Sequence, residues 1–301
     1  MGRGQFAIGV DIGGTKISAG VVDTSGTITS RGELRSDADD PSSICRQIAE
    51  LIALLEVEGA TGLGIGAAGI VDPTTGRYVF GPNTGFDDFN LAEMASDAVR
   101  LPVRIDNDAN CAAWAEHRFG VGEGSRHFMC VTLGTGIGGG FVLDGKPYRG
   151  AHGGAAEIGH MLMDPDGPLC GCGRRGCWEQ FASGLALERM GREAYGREIE
   201  GTEITKLARS GDDVAQKLVD ELAHWIGIGL GSLVNILEPE RIAIAGGIVR
   251  DWDLFADIAH ARMLDQIEAA DRRPPPTLLP AELGHDAGIV GAASLILSDG
   301  L

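Results

Sequence analysis

The chain has 301 residues, 25 of them Lys or Arg and 43 Asp or Glu, for a formal charge of −18. So acidic a surface lacks the basic face that displaces counterions from nucleic-acid phosphates or settles on anionic lipid. At 44% hydrophobic residues the chain can bury one large or two ordinary cores. No apolar run is long enough for a transmembrane helix, and the first residues lack a signal-peptide core, which points to a cytoplasmic protein.

Glycine is the anomaly, at 47 residues, about twice the usual share. It clusters beside apolar β-branched runs, where it serves tight turns and close backbone approaches. Phe6–Val10 is a short strand ending at a Gly turn. Ile17–Val22 resumes as a strand and Thr27–Leu34 pairs back, giving a meander. Asp40-Pro41 opens a helix whose apolar positions Ile44, Ile48, Leu51 and Leu55 recur at helical spacing. Gly62–Gly66 is a buried strand, Asn90 caps a helix through Val99, Pro102–Asp106 is a strand and Asn107–Phe119 a helix.

The pattern then restarts. His127–Leu133 is a strand, Gly134–Gly140 a Gly-rich turn, and Phe141–Leu143 a strand entering the hairpin turn Asp144-Gly145. Helices follow at Gly184–Tyr195, Thr202–Ala208 and Asp212–Leu237. Arg241–Ala245 is a strand running into Gly246-Gly247. Asp251–Ile267 is a helix, Arg272–Pro280 a Pro-rich connector and Asp286–Leu297 a last helix. Strand, Gly-rich turn, strand occurs twice, at Phe6–Val22 and Met129–Leu143. Either the half-molecule is duplicated, or hairpins recur by chance in a Gly-rich chain.

Two phosphate motifs are excluded by their context. The only Gly-Lys pair, Gly145-Lys146, precedes Pro147, so no Walker A loop exists. Gly134, Gly136, Gly139 and Gly64, Gly66, Gly69 match the letters of a dinucleotide fingerprint, but neither run opens a helix. The remaining possibilities are an ordinary tight hairpin and a nest of backbone N–H groups for an anion, with Thr15, Thr135 and Lys16 as added donors. Asp11 would repel a bare phosphate and is better suited to Mg²⁺, held through water.

Asp11-Ile12-Gly13-Gly14-Thr15-Lys16, Leu133-Gly134-Thr135-Gly136-Ile137-Gly138-Gly139-Gly140 and Ala245-Gly246-Gly247 resemble the nucleotide segments of the ROK family of sugar kinases, nearest in pattern to its bacterial ATP-dependent glucokinases. The resemblance spans nearly the whole chain. It implies an α/β, two-lobed actin-like/hexokinase ATPase fold with an interdomain cleft. The expected small lobe is 1–110 plus a C-terminal helix at 285–301, and the large lobe is 111–284. Gly13, Gly14, Thr15, Lys16, Thr135 and Gly136 are expected at the phosphates, Gly246 and Gly247 near the adenosine.

Asp106-Asn107-Asp108-Ala109-Asn110 joins a strand to a helix. Its acids and amides suit a helix cap, and an Asp fixed there also suits a base awaiting a hydroxyl proton. The resemblance implies that Asp108 is the catalytic base and Asn107 a sugar ligand, and Asp106 departs from the Glu expected at its position. His160, Cys170, Cys172 and Cys177 form a Cys₃His set that suits structural Zn²⁺ in a reducing compartment, against unrelated thiols or a redox pair. The family pattern E-x-G-H followed by C-x-C-G-x-x-G-C-x-E implies that Glu157, His160 and Glu179 contact sugar hydroxyls. Gly69 and Asn83 complete the expected sugar wall, with Phe86 where many relatives carry Trp; Asn83 also suits a simple turn after Pro82.

The expected activity is ATP-dependent phosphorylation of the glucose 6-hydroxyl. Alternatives are a kinase of N-acetylglucosamine, N-acetylmannosamine, mannose or fructose, a polyphosphate-using glucokinase, and a non-catalytic sugar-sensing ROK protein. The repressors of that last kind carry a helix-turn-helix, for which the start at Asp11 leaves no room. The resemblance also implies a homodimer or homotetramer.

Overall fold

The computed structural model describes residues 5–36, 40–81 and 87–298. In chain order the strands and helices are β1 (Phe6–Ile12), β2 (Lys16–Asp23), β3 (Ile28–Arg35), α1 (Pro41–Ala53), β4 (Ala60–Ala67), β5 (Ile70–Asp72), β6 (Arg77–Phe80), α2 (Leu91–Val99), β7 (Val103–Asn107) and α3 (Asp108–Phe119). They continue with β8 (Phe128–Leu133), β9 (Ile137–Leu143), β10 (Lys146–Tyr148), α4 (Glu179–Ala182), α5 (Gly184–Tyr195), α6 (Gly201–Arg209), α7 (Asp213–Leu237), β11 (Arg241–Ala245), α8 (Trp252–Gln266), β12 (Thr277–Pro280) and α9 (Ala287–Leu297). The chain divides into two units, Met1–Arg126 with Gly140–Ala156 and Glu282–Leu301, and His127–Gly139 with Glu157–Ala281.

The first unit is built on a sheet of order β3-β2-β1-β4-β7. β1 and β2 pair antiparallel through the Gly turn, whereas β4 lies parallel to both β1 and β7. One face buries Ile8, Val10, Ile65 and Ile105 with Ile44, Ile48 and Leu51 of α1. Asp40 caps that helix through Ser43 N–H, and Ser43 returns the bond, a reciprocal box that fixes its start. The other face carries Ala7 and Val22 against Ala112 and Ala115 of α3 and Ile289, Val290 and Ala293 of α9. α9 sits so low that its backbone occupies the space a Cβ would need on Gly9 of β1 or Gly64 of β4. This close approach explains Gly64, whereas a Cβ on Gly66 would stand 3.2 Å from Cys111 Sγ of α3.

A second sheet has the order β10-β9-β8-β11-β12, the same relative order as the first; its strands β8, β11 and β12 belong to the second unit. β8, β11 and β12 run parallel. α7 is the second unit's longest helix, capped by Asp212, and packs against α4, α5, α6 and α8. The matching strand orders support duplication over chance recurrence.

Four details depart from the sequence reading. The boundary expected near Asn110 falls inside α3, which stays with the first unit because it packs on α9. The turn expected over Gly134–Gly140 is shorter: a bond from Gly134 N–H to Gly136 O closes it at 3.0 Å, and β9 starts at Ile137, whose side chain is buried. The Pro-rich connector ends in β12, an edge strand where a proline is tolerated. Residues 70–80, unassigned from sequence, form the β5-β6 hairpin around Asp72, whose Oδ1 accepts Thr74 N–H at 2.9 Å.

Candidate active site

The first unit carries an exposed Gly turn and a nearby carboxylate. Gly13 N–H donates to Lys16 O at 3.0 Å, leaving Gly14 and Thr15 as an exposed two-residue tip. Lys16 is not idle: its ammonium pairs with Glu33 at 2.7 Å, both side chains about half exposed. Such a surface pair is worth at most about 1 kcal/mol, so an arriving polyphosphate can compete for the cation. Asp11 is the last residue but one of β1, just before this turn. Removal from water pushes its pKa up to about 6, with the negative charge of Asp108 adding to the rise and Lys16 opposing it. The carboxylate is short of positive charge, the condition a divalent cation relieves.

At the end of β7 the chain turns into α3. Asn107 is the cap, its Oδ1 accepting Asn110 N–H at 3.0 Å while its Nδ2 donates to Gly69 O at 2.9 Å. Asp108 is the first helical residue and its Oδ1 accepts Ala109 N–H at 2.9 Å. Burial raises its pKa and these N–H bonds hold it back. The cap and the candidate base are therefore neighbouring residues. Gly69 is tied directly to Asn107. Asn83 and Phe86 lie outside the described residues.

The second unit supplies a pocket. Gly184 N–H at the start of α5 donates to Gly134 O at 2.7 Å, and Gly138 N–H donates to Thr132 Oγ1 at 3.1 Å, so the β8-β9 turn is held on two sides. Beside it lies a cavity of about 380 Å³ lined by Thr135, Leu187, Glu188, Thr202, Gly247 and Phe255, among others. That volume suits a small organic ligand. Gly134, Thr135 and Gly247 reach the cavity, whereas Gly136 and Gly246 do not line it. One wall is clamped by Arg209 of α6, which bridges Asp251 and Asp253 at 3.0 and 2.6 Å, while Thr205 Oγ1 donates to Asp251 Oδ2 at 3.0 Å. The walls from α5, α6 and α8 were not singled out from sequence, because pocket-lining and core positions share one helical periodicity.

The Cys–His set comes together. The ligand atoms of His160, Cys170, Cys172 and Cys177 lie within 4.8 Å of one another, with Cys170 Sγ 3.7 Å from His160 Nδ1 and Cys172 Sγ 3.6 Å from Cys177 Sγ. A tetrahedron with Zn–S bonds of 2.3 Å has edges of about 3.8 Å, so the donors fit that ion. Buried Trp178 follows Cys177, and its Nε1 donates to Trp225 O at 2.8 Å, anchoring the loop to α7. Glu179 Oε1 accepts from Cys170 Sγ at 2.9 Å. Its Oε2 would be 2.7 Å from a Cβ on Gly136, so this carboxylate sits at the β8-β9 turn. Glu157 is exposed at the start of the 3₁₀ turn Ile158–His160.

The paired sheets, the two Gly turns and the solved structures below define the class, the actin-like/hexokinase ATPase fold. A profile of the ROK family matches residues 7–299, and the chain belongs to that family. It is 41% identical to the glucokinase of Streptomyces coelicolor over 313 residues, covering 96% of this chain and 97% of that one. A ROK family glucokinase from Streptomyces griseus, solved in complex with glucose and AMPPNP, matches with a TM-score of 0.85 at 41% identity over 96% of this chain and 98% of that one. A ROK hexokinase from Thermus thermophilus matches with a TM-score of 0.85 at 36% identity over 98% and 100%.

Proposed function

We propose that this chain transfers the terminal phosphoryl group of ATP to the 6-hydroxyl of glucose. The observation that carries the reading is Asp108, a carboxylate fixed at the start of α3 and withdrawn from water, in a chain similar along nearly its whole length to a glucokinase that binds glucose and an ATP analogue. Asp108 accepts the proton of the 6-hydroxyl as that oxygen attacks phosphorus, and its raised pKa suits a proton acceptor. Asn107, Gly69 and Asn83 hold sugar hydroxyls, as do Glu157, His160 and Glu179.

The nucleotide's base and ribose occupy the cavity beside Gly247, and its phosphates take N–H bonds from Gly13, Gly14, Thr15, Thr135 and Gly136, with Lys16 as a cation and Gly246 supporting the adenosine side. Asp11 would hold the Mg²⁺ of the nucleotide through water, and that ion would supply charge neutralisation at the phosphates. His160, Cys170, Cys172 and Cys177 would hold a structural Zn²⁺. Since His160 Nδ1 faces Cys170, Nε2 is left for the sugar.

Coupled ADP release against glucose, N-acetylglucosamine, mannose and fructose, with ATP or polyphosphate as donor, tests the reading. Glucose with ATP gives the highest kcat/KM. Asp108→Asn keeps the circular-dichroism spectrum and loses 10²-fold or more of kcat, the usual scale for a missing general base. A better sugar or donor reassigns the substrate, and near wild-type kcat in the variant removes Asp108 as base.

A further inference from the structure

Asp106 lies directly before the Asn107-Asp108 pair and is 2% exposed. Its Oδ1 accepts two bonds, from Asn107 N–H at 2.8 Å and Asn110 Nδ2 at 3.1 Å. Its Oδ2 accepts Arg149 Nε at 2.6 Å, and the Arg149 side chain is itself only 19% exposed. The two residues are 43 apart in sequence. Arg149 immediately follows β10, and its carbonyl accepts Ala155 N–H at 3.2 Å, which holds its own backbone in place.

One carboxylate therefore grips the chain on both sides of Asp108, by the backbone of residue 107 and by the side chain of residue 110. A carboxylate held only by those two bonds could still rotate about its side-chain torsions. The guanidinium on the second oxygen removes that freedom, and a charge-assisted bond of this length in a buried site is among the stronger ones available. We propose that Arg149 is a positioning residue for the phosphoryl acceptor site: through Asp106 it fixes the backbone that presents Asn107 and Asp108 to the sugar. This rests on the reading of Asp108 as the base. The geometry a base needs is tight, and small displacements at the reacting atoms lower the rate by large factors. Arg149 touches neither base nor cap, so it acts on turnover through position alone.

Removing one partner of a buried ion pair strands the other charge and can unfold the protein. The test therefore uses three variants: Arg149→Met, Arg149→Lys, and the neutral pair Asp106→Asn/Arg149→Met, in which no charge is stranded. Each is measured for melting temperature, for kcat per folded molecule, and for KM of glucose and of ATP, with Asp108→Asn alongside. The double variant is expected to melt within a few degrees of wild type, with kcat reduced more than fivefold and both KM values changed less than threefold. Arg149→Lys, which keeps a charge but not the guanidinium fork, is expected to retain more kcat than Arg149→Met. A double variant whose kcat per folded molecule falls less than fivefold, or one in which only KM changes, overturns the proposal. If Asp108→Asn has by then lost its turnover, the base stands and only the role of Arg149 fails. If Asp108→Asn keeps its turnover, the reading of the base itself is what fails.

Discussion

Replacing Asp11 by Asn should make the ligand-free protein more stable while removing its turnover. A carboxylate with a folded-state pKa raised to about 6 favours folding only while it is protonated. That contribution is complete below the ordinary value of 3.8 and is lost as pH rises through about 6. At pH 8 the gap between the two values corresponds to about 3 kcal/mol held against the native state. One term opposes this: the carboxylate lies at the first turn of α9, where a Cβ on Gly288 would stand 2.7 Å from its Oδ2, and a helix N-terminus favours an anion by about 0.3–1 kcal/mol. Burial wins, and the expected net gain for Asp11→Asn is about 2 kcal/mol at pH 8, or roughly 5 °C in melting temperature. At pH 5 the wild-type group is mostly protonated when folded, so the gain should fall to about half. Thermal and urea melts at the two pH values, without Mg²⁺, nucleotide or sugar, measure this. A variant no more stable than wild type at pH 8, or with a gain independent of pH, would refute the electrostatic reasoning.

Two further outcomes follow from the same geometry. Metal analysis should find one Zn²⁺ per chain, and a strong chelator should lower both melting temperature and activity in step, with Zn²⁺ restoring both; full stability in a metal-free sample would remove the structural metal. Gly64→Ala should destabilise by about 3 kcal/mol or more, because the added Cβ meets the Ala292 carbonyl of α9 and backbone gives way less readily than a side chain; urea midpoints within error of wild type would show that α9 can shift.

The sequence was most legible where a local rule decides the structure. Asn90 and Asp40 opened their helices where the cap preference places them, and the Asn107-Asp108 segment read correctly as a strand-to-helix junction. The Cys₃His loop was legible because its ligand spacing is short and specific. What escaped depends on distant partners. Arg149 carries no local signal, since its meaning lies in a carboxylate 43 residues away. Gly9 and Gly64 lay inside expected strands, and only α9, distant in sequence, supplied the reason for a missing side chain. Lys16 matched a phosphate-binding pattern, and nothing near it in sequence foretold its pairing with Glu33 across the β2-β3 strands.

The packing of α9 also sets an order for biosynthesis. The strands it covers, β1 and β4, are made long before the helix itself. At a synthesis rate of roughly 5–20 residues per second, the bare glycine-lined groove on β1 and β4 waits on the order of 15–60 s for its cover. During that interval an apolar sheet face is available to chaperones or to a wrong neighbour. A chain that stops short of Ala287 leaves the groove over Gly9 and Gly64 uncovered for good.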